Sequence, residues 1–239
     1  MRYLGLICDY DGTIAHDGRV APDVLDALAR VRASGRKLVL LTGRELPDLL
    51  ALLPSLTLFD RIVAENGALL YNPETKEERL LTSPPPPIFF QTLRERGVKP
   101  LSRGRIIVAT EHPQETVVID VIRQLGLEVT VTFNKGSVMM LPSGVNKASG
   151  LKAVLKDLNL EPHQVVGVGD AENDHAFLEA CGYAVAVANA LPMLKEEADW
   201  VTAGRNGSGV QELVKRLLTN DLADGPAAKI PPPSKRPRS

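Results

Sequence analysis

The apolar run Tyr3-Leu4-Gly5-Leu6-Ile7-Cys8 stops at a polar turn, Asp9-Tyr10-Asp11-Gly12-Thr13, and this pattern recurs along the chain. An apolar segment that short, closed by turn residues, reads as a strand buried on both faces of a parallel sheet. Lys37 to Leu41 repeats it and ends at Thr42-Gly43-Arg44, and Arg61 to Ala64 follows. Val165 to Val168 ends at Gly169-Asp170, and Ala184 to Val187 comes last. Helical spacing fills the intervals. Pro22 suits a first turn, Val24, Leu25, Leu28 and Val31 form one face, and Gly35 stops it. Further helices are expected through Leu49, Leu50 and Leu53, from near Lys147 through Leu151, Val154, Leu155 and Leu158, and over about Val210 to Leu218. Strands alternating with helices predict an α/β fold with a doubly wound, Rossmann-like parallel sheet.

The rhythm breaks at Pro84 to Pro87, a run that fits neither a helix interior nor a central strand and reads as a stiff extended linker. Up to Pro142-Ser143-Gly144 the pattern is helix (about Ile88 to Arg96), strand (Arg105 to Ala109), helix (about Pro113 to Leu125), then strand Leu127 to Phe133. A turn at Asn134-Lys135-Gly136 leads into a last strand, Ser137 to Leu141. Residues 83–142 are therefore expected to form a smaller inserted α+β cap domain on two hinges. Residues 1–82 and 143–220 would be the core. Residues 221–239, Pro-rich and basic toward the end, are expected to be a disordered tail.

Composition narrows the function classes. Lys and Arg number 28 against 29 Asp and Glu, so a general electrostatic grip on nucleic acid is not expected. No apolar stretch reaches membrane-spanning length and the N-terminus lacks the pattern of a signal peptide. Cys8 and Cys181 sit in apolar contexts, as small buried thiols do. A cytoplasmic protein without membrane attachment is the expectation. The four histidines show no zinc-site spacing.

Three polar clusters fall at the same edge of the expected sheet: Asp9 and Asp11 after the first strand, Thr42 after the second, and Asp170, Asn173 and Asp174 after a late one. Lys147 opens the helix before that late strand. Open α/β sheets carry their chemistry at this edge. Together the clusters supply what phosphoryl transfer from a monoester needs. Asp9 and Asp170 offer carboxylates to Mg²⁺, a hard ion that prefers oxygen ligands. The Thr42 hydroxyl, nearby backbone N–H groups and the Lys147 ammonium offer donors to phosphate oxygens. Of the two leading carboxylates, one can attack in line and the other can pass a proton to the leaving oxygen.

This set resembles the haloacid dehalogenase-like superfamily over the whole chain except the tail. Asp9 to Thr13 matches its Asp-x-Asp-Gly-Thr motif, which implies Asp9 as nucleophile and Asp11 as general acid/base. Thr42, with Gly43 beside it, matches the second motif and Lys147 the third, both implying phosphate binding. Gly169-Asp170 with Asn173-Asp174 matches the fourth. It implies that Asp170 holds Mg²⁺, that Asp174 supports the metal site or Lys147, and that Asn173 positions phosphate. Asp9 and the backbone carbonyl of Asp11 would be further metal ligands. A cap placed between Thr42 and Lys147, with Glu65-Asn66-Gly67-Ala68 after the third strand, resembles the Cof-type branch. That branch includes sucrose-phosphate, mannosyl-3-phosphoglycerate and phosphoglycolate phosphatases. The implied activity is a Mg²⁺-dependent phosphatase of a small phosphorylated metabolite, a sugar phosphate or a phosphorylated carboxylic acid. The alternatives are a phosphomutase and a non-enzymatic phosphometabolite-binding protein. Arg44, Asn134 and Lys135, with His16 and Arg19, are candidate substrate contacts near the cleft. Met139-Met140 is expected in cap core or on the cap sheet.

Overall fold

The computed structural model describes residues 1–224; residues 225–239, most of the expected tail, lie outside the described residues. In chain order the strands are β1 Gly5–Cys8, β2 Lys37–Leu41, β3 Arg61–Ala64, β4 Leu69–Asn72, β5 Glu77–Leu80, β6 Leu101–Arg103, β7 Val108–Glu111, β8 Val129–Asn134, β9 Ser137–Pro142, β10 Val165–Gly169, β11 Tyr183–Ala186 and β12 Trp200–Val201. The helices are α1 Pro22–Ala33, α2 Leu46–Leu52, α3 Pro87–Glu95, α4 Glu115–Leu125, α5 Lys147–Leu158, α6 His175–Ala180, α7 Pro192–Glu197 and α8 Asn206–Asn220.

One sheet runs β12-β11-β10-β1-β2-β3-β4-β5, parallel from β12 to β3 and antiparallel beyond. The short apolar runs occupy its centre because every residue of β1 and nearly every residue of β2 and β10 is buried. β1 pairs with β10 on one side and β2 on the other. Its C-terminal end is therefore the point where strand order reverses, the place where such sheets open a crevice. A second, antiparallel sheet runs β6-β7-β9-β8. Along β9 the burial alternates by partner: Met140 packs with Phe89, Leu93, Val118 and Val121 of α3 and α4, whereas Met139 and Leu141 pack with Ile106, Ile107 and Ala68. Period-2 geometry thus separates the adjacent Met139 and Met140 onto opposite faces.

Several expectations need correction. Pro87 does not extend the proline run but occupies the first turn of α3, where its missing N–H costs nothing. The strand expected over Arg105 to Ala109 begins at Val108 instead, because the N–H groups of Arg105, Ile106 and Ile107 are taken by the Glu65 carboxylate. The hairpin of β4 and β5 and the strand β6 were not expected. β5 reads Glu-Glu-Arg-Leu and is exposed throughout, so it carries no apolar signal. The tail does not start at 221: Leu222 is buried, and Asp221 accepts hydrogen bonds from the backbone N–H of Arg2 and, at 2.9 Å, from Arg36.

The Asp221 carboxyl is held below the usual carboxylate range; burial alone would raise it, but the Arg2 N–H and the Arg36 guanidinium outweigh that. A carboxyl whose folded pKa is depressed adds stability above its unfolded pKa and loses it as pH falls through the folded one. Asp221→Asn is thus expected to cost about 1–2 kcal/mol near neutral pH. Urea unfolding of both proteins should show that gap closing from roughly pH 5 to pH 2. A gap constant over that range would rule the linkage out.

Candidate active site

Asp9 follows the last residue of β1, and its backbone N–H donates to the Val168 carbonyl at 3.0 Å, which continues the ladder onto β10. The side chain is buried, and its Oδ1 accepts from Lys147 Nζ at 2.5 Å. Lys147 itself is 1% exposed and donates a second bond, also 2.5 Å, to Asp174 Oδ1. Its place is fixed by the start of α5, where Asn146 and Ser149 form a reciprocal capping box. The same helix end packs against the turn after β3. A Cβ on Gly67 (φ 106°) would come within 2.0 Å of the Asn146 carbonyl, so only glycine lets α5 approach this closely.

Asp174 has both oxygens committed: Oδ2 accepts the N–H groups of Asp170 and Ala171 at 2.8 and 3.0 Å. Asp170 accepts from the Thr13 hydroxyl at 3.1 Å, from the Lys135 ammonium and from Asn189 Nδ2 at 3.3 Å. One oxygen each of Asp9, Asp170 and Asp174 lie within 4.8 Å of one another, all buried. Burial raises the Asp9 carboxyl well above its ordinary range, and the charges of Asp174 and Asp170 add to this against the pull of Lys147. Asp170 is likewise raised, first by burial, with the Lys135 bond opposing. For Lys147, burial pushes the ammonium down, but Asp174 and Asp9 outweigh it and the net shift is upward. A buried all-oxygen set with excess negative charge is the donor chemistry of a hard cation.

The remaining candidates surround this cluster unequally. Thr42 is buried, and its Oγ1 accepts the Arg44 N–H at 3.1 Å. Arg44 grips Asp11 with two 2.7 Å bonds, Nε to Oδ2 and Nη2 to Oδ1. Asn173 Nδ2 donates to Asn66 Oδ1 at 3.0 Å, and this leaves Asn66 Nδ2 and Asn173 Oδ1 buried without a partner among the described residues. Orphaned buried amide atoms on this Asn66–Asn173 pair fit a bound polar group. A Cβ at Gly43 would stand 3.6 Å from Asn173 Nδ2 and 3.3 Å from Met139 Sδ.

A cavity of about 890 Å³ lies between the two sheets, lined on one side by Asp11, Gly12, Gly43 and Arg44 and on the other by Asn134, Lys135 and Met139. His16 also lines it, through a turn at Asp17 and Gly18 where both residues have positive φ. Arg19 is exposed and outside the lining. Lys135, expected to face substrate, is paired with Asp170, and its backbone N–H reaches Glu172 at 3.3 Å. Sequence reasoning missed Asn189 and Arg205. Asn189 follows β11, so the strand-end rule that found Thr42 would have found it, whereas Arg205 follows β12, a two-residue strand with no apolar run to announce it.

A family model described as haloacid dehalogenase-like hydrolase matches residues 6–95 and 99–214. The chain belongs to the haloacid dehalogenase-like hydrolase family. Among curated relatives, the phosphoglycolate phosphatase of Methanothermobacter thermautotrophicus is 32% identical over 219 residues, covering 88% of this chain and 96% of the relative. That of Haloarcula marismortui is 32% identical over 220 residues, covering 87% and 95%. A solved structure from Thermoplasma acidophilum shares the fold with a TM-score of 0.77 at 16% identity, covering 91% of this chain and 99% of that one. This haloacid dehalogenase-like hydrolase is a phosphatase, and its acidic cluster lies at the reversal point of the sheet. No helix among the described residues is long and apolar enough to cross a membrane.

Proposed function

We propose that the chain is a Mg²⁺-dependent phosphatase of a small phosphorylated carboxylic acid, acting through an aspartyl-phosphate on Asp9. The observation that carries this reading is the buried Asp9 carboxylate beside Lys147, Asp170 and Asp174 at the end of β1. Asp9 and Asp170, with the Asp11 backbone carbonyl, would hold Mg²⁺, and Asp174 would steady Lys147 and the loop after β10. The ion when bound supplies positive charge that lets a carboxylate approach a phosphate dianion.

A carboxylate oxygen of Asp9 forms a bond to phosphorus while the bond to the leaving oxygen breaks, and Asp11, with one oxygen released from Arg44 and protonated, gives the leaving oxygen that proton. Asp11 then takes a proton from water as the water attacks phosphorus, and the Asp9–phosphorus linkage breaks to release phosphate. Thr42, the Gly43 N–H, Lys147 and Asn173 bind the phosphoryl oxygens through these steps. The unit formed by residues 83–142 acts as a cap that excludes water and selects the leaving group. The relatives named phosphoglycolate phosphatase support a carboxylate-bearing substrate over a sugar phosphate.

The test is phosphate release from a panel of monoesters with Mg²⁺ and with chelator, followed by product analysis. Release that needs Mg²⁺ and is fastest for phosphorylated carboxylic acids is expected. An isomerised ester with no free phosphate would make the chain a mutase. Binding without turnover by folded protein would make it a metabolite-binding protein.

A further inference from the structure

We infer that Arg205, in the loop between β12 and α8, binds the carboxylate of the substrate's leaving group and sets the preference for anionic over neutral monoesters. The inference rests on the phosphatase reading above and adds a residue outside the motif clusters and outside the cap.

Three Lys or Arg side chains line the cavity: Arg44, Lys135 and Arg205. Two are already committed. Arg44 holds both oxygens of Asp11 in a bidentate pair, and Lys135 sits on Asp170. A substrate carboxylate that recruited Arg44 would strip it from Asp11, and Lys135 is paired with the carboxylate that Mg²⁺ would share, whereas Arg205 faces the cavity with no such partner in either case. The Arg205 guanidinium has no hydrogen-bond or ion-pair partner among the described residues. It therefore offers an ion pair to a ligand without giving up one within the protein.

The loop that carries it is tied to the reaction centre. Asn189 Nδ2 donates to the Gly12 carbonyl at 2.7 Å, and Asn189 Oδ1 accepts the N–H of Asn206 at 2.7 Å. One side chain thus bridges the loop after β1 to the residue next to Arg205. Asn206 also meets His16 Nδ1 at 3.1 Å across the cavity rim. Arg205, next in sequence to Asn206, thus lines the same cavity as Asp11 and Gly12, the residues that follow Asp9. Several carboxylates, among them Asp17, Asp48 and Glu111, share the cavity lining. They would repel an anionic ester lacking a dedicated cation, so one unpaired guanidinium has a large effect on selection.

The experiment compares 2-phosphoglycolate with ethyl phosphate, which matches its skeleton but lacks the carboxylate, in the full chain with Mg²⁺. Wild type should favour phosphoglycolate in kcat/KM. Arg205→Gln should lower kcat/KM for phosphoglycolate about 10–100-fold and leave ethyl phosphate within about twofold. Arg205→Lys should recover part of the loss, which a merely structural role would not produce. Equal effects on both esters, or none on either, would overturn the assignment of Arg205. So would a wild type that hydrolyses both esters equally, and the phosphatase reading would then stand. Release from no monoester at all would overturn that reading and this inference together.

Discussion

Asp9→Asn is expected to lower phosphate release by about 10⁴-fold or more while leaving the melting temperature unchanged or slightly higher. The two effects separate for a physical reason. Asp9 is the one carboxylate that both closes the central strand and lies against Lys147, so an amide there has no oxygen able to take phosphorus and leave again. Its ionised form is disfavoured in the fold, first by burial and then by Asp174 and Asp170. Removing that charge relieves repulsion, and Lys147 keeps its bond to Asp174. Turnover and thermal unfolding measured on the same preparation check both halves. A variant that retained turnover within tenfold would remove Asp9 as nucleophile.

Lys147→Met is expected to have the largest effect on stability. The ammonium is fully enclosed and bridges two buried carboxylates that belong to different loops, one after β1 and one after β10. Taking away one partner of a buried charge set costs about 3–5 kcal/mol, because the partners left behind are neither solvated nor neutralised. In a chain of this size that is a fall of roughly 10 °C in melting temperature. Activity should fall with it, since Lys147 is the donor held nearest to Asp9. Pairing the change with Asp9→Asn should return part of the stability, because one of the two stranded charges is then gone. Strictly additive losses in the double variant would show that the bridge does not couple the two loops.

Short apolar runs announced the parallel strands, since a strand buried on both faces has no polar alternation. The strand-end rule placed Asp9, Thr42 and Asp170 at one edge of the sheet and the family resemblance added Lys147 at the start of a helix, and the structure brings the carboxylates of Asp9 and Asp170 into one buried cluster with Lys147. Edges and crossings were harder to read. β5 is exposed along its whole length and looks like loop. The stretch Arg105 to Ile107 is apolar enough for a strand, yet its N–H groups face a carboxylate from a residue some 40 positions earlier.

By itself the sequence determined the class of fold, the strand ends that carry chemistry and the residue types gathered there, because these follow from local periodicity and from short motifs. Only the tertiary structure decided which cations are already spent. Arg44 on Asp11, Lys135 on Asp170 and Lys147 between Asp9 and Asp174 are all pairings across long sequence separations. Arg205 stands apart from them only when the chain is folded. Charge compensation depends on distance in space, and no pattern along the chain encodes it.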